Sequence, residues 1–400
     1  MAVHEHHQWR DARATSGPAR LAAAVATHGL PGADSPRPDS PLDDATWREF
    51  VLHVQHGRVP GLLMDAIDDG WLPVTAEQHN AAAAMQLSAR ALAVVLDELL
   101  CNVAARLRRG EVQFRVLKGA AVARLDYPRS ASRTYGDIDL LVPGPQMDQV
   151  VAILEREAFV RRIPQLRRGF DRRFGKGAVL ERGAGLQVDV HRAFVDGPFG
   201  FRSAPQDLFA DLDRFDLNGV ELPALSAVDR FVHACFHVAL SGHLRLSSVR
   251  DVAQLALVTQ PDVTGVHDRF EAWRAEPVLA RAMTLTWQIL DIGVDAELKE
   301  WSDRFEYDRR SRRLLAASVG ESAGWKALVI EGLRELPGIR SKALYLHALL
   351  WPDRRFIREM RDRRRRRRFA RGLAALRSRI SGMGRHRGLV HAHDDSEVGE

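Results

Sequence analysis

A strand that carries two acidic residues limits most strongly what this chain can fold into. The stretch from Phe114 to Val142 has the pattern of a strand, a tight glycine turn, a helix, a loop and a second strand. On the second strand, Asp137 and Asp139 are two residues apart, so their side chains point to the same face, whereas Ile138 and Leu140 point to the other. One face of this strand is therefore apolar and the other begins with paired charge.

The pair of carboxylates predicts a cation. Two carboxylates about 4 to 6 Å apart repel by roughly 1 kcal/mol in water, and by several times that near a protein interior. A divalent ion removes this cost. Acidic oxygen sites suit Mg²⁺ or Mn²⁺, which usually share their coordination with waters and substrate phosphates. Asp137 and Asp139 therefore indicate phosphate chemistry.

The turn before the strand is compatible with the same chemistry. An apolar run ends at Lys118 and Gly119, and small helix-favouring residues follow. A glycine between strand and helix lets the backbone approach a phosphate, and Lys118 adds a positive charge. Taken alone, this dipeptide is better explained by a tight turn with a solvated lysine. The acidic strand about eighteen residues later favours the phosphate interpretation.

A third carboxylate lies on a predicted hairpin further along the chain. Residues 178–181 and 186–194 form its two strands, and glycines supply the turn. Alternation places Gln187, Asp189 and His191 on one face of the second strand. A lone strand aspartate is usually a surface residue, so this pattern alone leaves its role open.

Two motifs together resemble a known family. LKGAAVARLDYP, followed by Arg133 and GDIDLLVP, is similar to the uncharacterised nucleotidyltransferase family of the DNA polymerase beta superfamily. The likeness extends more loosely from about Asp44 to Arg355. It implies a glycine turn that holds a triphosphate, an acidic pair that binds metal, and a third carboxylate on a later strand. The implied reaction moves a nucleoside monophosphate from an NTP to a hydroxyl and releases pyrophosphate.

The resemblance assigns roles residue by residue. The implied ligands of Mg²⁺ (or Mn²⁺) are Asp137, Asp139 and Asp189, which would also be the catalytic residues. The implied nucleotide-binding residues are Lys118, Gly119, Arg133 and Gly136. His191 would hydrogen-bond a ligand or contact substrate. Many superfamily members have serine after the turn glycine, whereas Ala120 here offers no hydroxyl to the triphosphate. Arg133 could contact the triphosphate instead.

A histidine pair in a later helix offers another candidate site. Ser226 and Asp229 give a capping signal, and His233 and His237 then lie one turn apart on the same face. With Asp251 downstream, a zinc site is conceivable, but no glutamate sits where a metallopeptidase needs its general base. Two hydrogen-bonded or cleft-lining histidines are favoured, with hydrogen bonding or substrate contact as their role.

The whole chain is expected to adopt an α+β fold, in which a minimal nucleotidyltransferase mixed sheet is flanked by helical regions. Thr75 and Gln78 form a capping-box signal for a long helix that Gly110 can end. The predicted divisions are a disordered leader (1–40), a helical arm (41–110), the nucleotidyltransferase core (111–215), a helical domain (216–355) and an arginine-rich tail (356–400).

Composition bounds the setting. The 400 residues are 46% hydrophobic, enough for a sizeable core, and the two cysteines, Cys101 and Cys235, argue against a disulfide framework. No apolar run reaches eighteen residues and no signal-peptide block opens the chain. We therefore expect a cytoplasmic protein without a membrane partner.

The partners follow from the family likeness and the charge pattern. The expected partners are an NTP, with ATP favoured, and a small molecule, peptide or protein that accepts the nucleotide. The net charge of +6 is concentrated in the unbroken arginine run at 363–368. Such a run contacts nucleic acid less often than it forms a solvated helix end or tail, and no RNA-binding module accompanies it. The alternative function is a non-catalytic nucleotide-binding or RNA-binding regulatory protein with the same fold.

Overall fold

The fold contains a seven-stranded mixed sheet with helices packed on it and beside it. It is seen in a computed structural model that describes residues 17–33, 35–183, 185–203, 205–241, 244–319 and 325–361. The predicted α+β class, a mixed sheet flanked by helical regions, is confirmed.

The sheet contains strands of the predicted core at 111–215 and extends beyond it, because β6 and β7 reach into the segment that was predicted to be helical. The strands are β1 (Arg115–Val116), β2 (Ile138–Leu141), β3 (Val160–Arg161), β4 (Gly177–Arg182), β5 (Leu186–His191), β6 (Asp213–Leu217) and β7 (Val220–Ala224). Their spatial order is β3-β4-β5-β2-β1-β7-β6. The β2–β5 and β1–β7 pairs are parallel and the other pairs are antiparallel. The predicted hairpin is β4–β5, and its second strand lies directly beside the acidic strand β2.

The described chain has fifteen α-helices before a last helical stretch at 354–361. They are α1 (Gly17–Thr27), α2 (Asp44–Gly57), α3 (Pro60–Asp68), α4 (Ala76–Arg109), α5 (Ala120–Leu125), α6 (Met147–Arg156), α7 (Gly197–Arg202), α8 (Ala227–Leu240), α9 (Leu246–Gln254), α10 (Val263–Ala272), α11 (Glu276–Leu290), α12 (Glu297–Arg304), α13 (Arg309–Ser318), α14 (Trp325–Glu335) and α15 (Gly338–Leu350). The predicted caps are confirmed, because Thr75 and Gln78 form a capping box before α4 and the Ser226 hydroxyl accepts the Asp229 amide at α8. None of these helices is long and apolar enough to cross a membrane.

One face of the sheet packs against α4 and α6. Ile138 and Leu140 of β2 join Val188 and Val190 of β5 in this core, together with the leucines of the second half of α4. The apolar side chains of α4 are buried from Leu96 onward, because only that half of the helix lies over the sheet. The opposite face is left to the acidic side chains.

A second core joins helices that precede the sheet strands in sequence to helices that follow them. Phe50 of α2 and Leu63 of α3 belong to the same buried cluster as Phe231 of α8 and Val249 of α9. Leu141 of β2 also contributes, so this helical layer reaches the sheet on the side that carries the acidic residues. The division of the chain at 41–110, 111–215 and 216–355 stays a prediction.

The expected disordered leader is wrong for part of its length. Residues 17–27 form helix α1, in which Ala22 and Val25 are fully buried against the helical core. Alanines and one valine give α1 an apolar face. The proline-rich stretch that follows α1 led to the prediction of disorder for the whole segment. The predicted arginine-rich tail lies almost wholly outside the described residues.

Candidate active site

Strand pairing brings the second and third predicted carboxylates together. In the parallel β2–β5 ladder, Asp139 stands opposite Asp189, and Leu141 stands opposite His191. Because side chains alternate along a strand, Asp139, Asp189 and His191 face the same side. One possible ligand atom from each residue lies within 4.8 Å of the other two.

Asp139 is the most constrained of the acidic residues. Only 4% of it is exposed, Lys118 Nζ lies 3.1 Å from its Oδ2, and His191 Nε2 lies 2.9 Å from its Oδ1. Burial opposes ionisation, but the charge of Lys118 and the hydrogen bond from His191 outweigh it and hold the Asp139 pKa well below its usual range. Asp139 is therefore a fixed carboxylate.

Asp137, the other half of the acidic pair, lies just before β2. Its Oδ2 is 3.8 Å from Lys118 Nζ, so the ammonium group contacts both carboxylates of the pair. Burial disfavours the charged lysine, but Asp139 and Asp137 raise the Lys118 pKa above its ordinary value. Lys118 thus partly neutralises the repulsion that the sequence predicts.

Asp189 has the opposite electrostatic environment. Among the described residues, one side chain hydrogen-bonds its carboxylate: Gln187 Nε2 donates to Oδ1 at 2.8 Å. Burial, followed by the charge of Asp139, raises the Asp189 pKa to about 6, although the hydrogen bond from Gln187 opposes the shift. A nearby cation would therefore stabilise the ionised form of Asp189.

His191 orients Asp139. Burial is the main cause of its lowered pKa, and Lys176 contributes, so the imidazole is neutral near pH 7. Because the ionised carboxylate only accepts, we assign the proton to Nε2, which donates to Asp139. Among the described residues no group hydrogen-bonds Nδ1. This geometry matches the hydrogen-bonding role predicted for His191.

The donor set suits a hard divalent cation. Carboxylate oxygens from two adjacent strands are the ligands that Mg²⁺ and Mn²⁺ prefer. Lys118 contacts the same Asp139 oxygen, so an ion there would share the carboxylate with the ammonium group or displace it. Asp139, Asp189 and His191 therefore fit a divalent metal, whereas Asp137 does not belong to this group in the described part of the chain.

The glycine turn has the backbone conformation that the sequence predicts. Gly119 has a φ of +61°, which favours glycine, and it immediately precedes α5. A Cβ added there would lie 3.4 Å from the Cβ of Tyr135. The turn thus lets the backbone approach the pocket closely.

A pocket of roughly 600 Å³, part of it open to solvent, adjoins the carboxylates. The predicted residues that line it are Lys118, Gly119, Arg133, Asp137, His233, His237 and Asp251. It is also lined by residues that we did not predict, among them Arg58, Arg230, Arg245, Ser247 and Ser248. Gly136 lies next to Asp137, at the end of the loop that leads into β2.

Arg133 is already engaged by protein groups. Its Nε and Nη2 each donate to an Asp251 oxygen at 2.7 Å, and its Nη1 donates to the Thr134 carbonyl oxygen. Tyr127 Oη also donates to Asp251, at 2.8 Å. Arg133 would have to exchange partners before it could contact a triphosphate, so that role stays a prediction.

The histidine pair lies on the pocket wall. The His233 and His237 rings are 6.4 Å apart, and burial lowers both pKa values, that of His237 to about 3. Asp251 is hydrogen-bonded by Arg133 and Tyr127. Among the described residues, the group of side chains that could bind a metal does not include His233, His237 or Asp251. The arrangement favours the cleft-lining interpretation over zinc.

Arg58 and Arg245 were missed because no motif marks them. Arg58 ends α2 and Arg245 precedes α9, and 187 residues separate them in the sequence. Only the shared helical core brings these helix ends to the same pocket. A positive charge at a helix end was the sole local signal.

Comparisons with known proteins agree with this site. The family described as uncharacterised nucleotidyltransferase matches residues 43–291, a range that contains every residue of the site. No curated protein matches the chain.

Two solved structures resemble the chain at low identity. The antibiotic-resistance factor ANT(2'')-Ia matches with 14% identity and a TM-score of 0.33, over 46% of this chain and 92% of that chain. An antigenic nucleotidyltransferase-like protein from Paracoccidioides brasiliensis matches with 17% identity and a TM-score of 0.28, over 51% and 94%. Likeness at this level carries no argument about the substrate.

Proposed function

Because the chain belongs to the uncharacterised nucleotidyltransferase family, we propose that it transfers a nucleoside monophosphate from an NTP to a hydroxyl group and releases pyrophosphate. The observation that carries this proposal is the pairing of Asp139 with Asp189 on adjacent parallel strands, beside the pocket that Lys118 and Gly119 line.

The acidic residues would hold the metal. Asp137 and Asp139 would bind Mg²⁺ or Mn²⁺, and Asp189 would complete the set. Bound there, the metal would supply charge neutralisation for the triphosphate and a lower pKa for the acceptor hydroxyl. His191 keeps the Asp139 carboxylate in one orientation, and its lowered pKa keeps it a neutral donor.

The lysine and the glycine turn would receive the nucleotide. Lys118 lies 3.1 Å from Asp139 and lines the pocket, so a modest shift would bring its ammonium group to a phosphate oxygen. Gly119 leaves room for the phosphate beside the backbone. ATP is the favoured NTP, and the acceptor is a small molecule, peptide or protein in the cytoplasm.

Labelled NTPs test the reaction class. The protein is incubated with Mg²⁺, a cell extract and ATP labelled at either the α- or the γ-phosphate. We expect the α-label to appear in an acceptor and the γ-label to appear only in pyrophosphate. Transfer of the γ-label to an acceptor would instead indicate a kinase and contradict the proposal.

One observation favours the non-catalytic alternative. Lys118 contacts both carboxylates of the acidic pair, as a residue that replaces a metal would. A protein of that kind would bind NTP in calorimetry but release no pyrophosphate on addition of Mg²⁺. The presence of all three carboxylates supports the enzyme over this alternative.

A further inference from the structure

Five cationic side chains line the pocket, and carboxylates accompany three of them. Lys118 contacts Asp137 and Asp139, Arg133 pairs with Asp251, and Arg230 pairs with Asp126. For Arg58 and Arg245, no carboxylate of the described residues lies within 4.0 Å. Among the described residues, these two positive charges therefore have no carboxylate in direct contact.

Arg58 occupies an unusual backbone position. It caps α2 in the left-handed region, with a φ of +56°, where glycine is the common residue. Among the seven non-glycine residues with positive φ in the described chain, Arg58 is the one that lines this pocket. A Cβ added at Gly136 would lie 3.8 Å from Arg58 Nη1, so the guanidinium group reaches the start of the acidic strand.

Arg245 lines the same pocket as Arg58. It is half-buried immediately before α9. Burial lowers its pKa, the positive charge of Arg58 lowers it further, and Asp137 opposes the shift. Arg58 and Arg245 thus line one pocket together with Asp137, and their positive charges disfavour each other. An anion between them would relieve this repulsion, as a cation would between the carboxylates.

We propose that Arg58 and Arg245 bind the terminal phosphates of the NTP, the role that the sequence assigns to Arg133. This inference rests on the proposed function, because it places the triphosphate between the glycine turn and the acidic strand. A guanidinium group forms two parallel hydrogen bonds to a phosphate, and two such groups match the charge of the β- and γ-phosphates. Arg133 then serves as a positioning residue that ties Asp251 to the loop before β2.

Calorimetry with inorganic tripolyphosphate tests the site without relying on catalysis. EDTA is included, so that the measurement does not depend on metal binding at the carboxylates. Arg58→Gln and Arg245→Gln are each expected to weaken binding by about ten- to one-hundredfold, the loss of charge-assisted hydrogen bonds. Arg48→Gln, an exposed arginine on the same helix as Arg58, is the matched control and is expected to bind like the wild-type protein.

A second variant separates binding from folding. Arg58→Gly removes the side chain and also relieves the left-handed backbone, so its melting temperature is expected to rise while its tripolyphosphate affinity falls. A side chain with only a structural role would produce a lower melting temperature. That result, with unchanged affinity, would contradict the assignment of Arg58.

The outcomes distinguish this site from the proposed function. Wild-type protein that does not bind tripolyphosphate, or Arg58→Gln and Arg245→Gln proteins that bind it unchanged, would overturn the arginine site. Mg²⁺-dependent pyrophosphate release is measured separately. If pyrophosphate is released but the arginine substitutions leave tripolyphosphate binding unchanged, this inference alone is removed. If tripolyphosphate binding depends on the arginines but no pyrophosphate is released, the proposed function alone is removed.

Discussion

Asp139 and Asp189 are neighbours across two strands, yet their proton affinities shift in opposite directions. Lys118 and His191 both contact Asp139, whereas in the described part of the chain only the neutral Gln187 donates a side-chain hydrogen bond to the Asp189 carboxylate. The pKa of Asp139 is therefore lowered and that of Asp189 is raised to about 6. The residues that contact each carboxylate therefore determine whether it is ionised in the absence of a metal: Asp139 is ionised, and Asp189 is ionised only above about pH 6.

Asp189→Asn should stabilise the metal-free protein at high pH. Since the folded-state pKa of about 6 lies above the ordinary value of 3.8, folding favours the protonated form, and this contribution is lost as the pH rises through 6. The substitution removes a buried charge that is disfavoured above that pH. In EDTA, we expect the free energy of unfolding to rise by about 2 kcal/mol at pH 8 and to change little at pH 4.

Chemical unfolding at both pH values makes this measurement. Asp295→Asn, at an exposed position, is the matched control and should change neither value. An equal gain for Asp189→Asn at pH 4 and pH 8 would show that the substitution acts through packing and not through charge.

The Arg133–Asp251 ion pair connects two elements that are far apart in sequence. It joins the loop before β2 to α9, and Tyr127 adds a hydrogen bond to the same carboxylate. Both charged side chains are about nine-tenths buried, so each needs the other to offset the cost of desolvation. This contact holds the edge of the pocket in place.

Asp251→Asn should lower the free energy of unfolding by about 3 kcal/mol, because it leaves the Arg133 charge buried without a counterion. Glu221→Gln is the control, since it breaks the exposed Arg214–Glu221 pair and should cost less than about 1 kcal/mol. Urea titration of both variants measures the difference. Equal losses would mean that the buried pair has no special role.

At the scale of elements, local patterns predicted the caps of α4 and α8 and four of the seven strands, β1, β2, β4 and β5, whereas β3, β6 and β7 were not predicted. Alternation around Asp139 and Asp189 indicates which face each residue occupies, and the signal at Thr75 places the start of α4. The parallel register between β2 and β5 could not be predicted, because β3 and β4 lie between them and alternation does not fix which strands pair. The family resemblance, not the pattern, suggested that Asp189 meets the acidic pair.

At the scale of the whole molecule, one helical core determines what the pocket contains. Helices α1 to α3 pack with α8 to α11 in a single cluster, which brings Arg58 and Arg245 together. Contacts between residues this far apart in sequence leave no local pattern, so the arginines could not be found from sequence. The helix at 17–27 was missed for a related reason, since its burial depends on distant partners.

A chain that ends at Arg361 should keep its NTP turnover within about twofold, because every residue of the site lies well before that point. Pyrophosphate release by the shortened and full-length proteins is compared under the same conditions.

RNA binding is measured in parallel at several salt concentrations. A loss of RNA affinity, together with a steep salt dependence in the full chain, would support a role for the arginine run in nucleic-acid binding.

The central claim is that three carboxylates converge around a divalent cation and carry nucleotidyl transfer. Mg²⁺-dependent pyrophosphate release from NTP, in a cell extract that supplies the acceptor and above the release by the extract alone, tests it most directly for the wild-type, Asp139→Asn and Asp295→Asn proteins, with the melting temperature of each recorded alongside. We predict that Asp139→Asn loses about a thousandfold or more of the activity while remaining folded, and that Asp295→Asn retains it. Undiminished release by a folded Asp139→Asn protein would contradict the account.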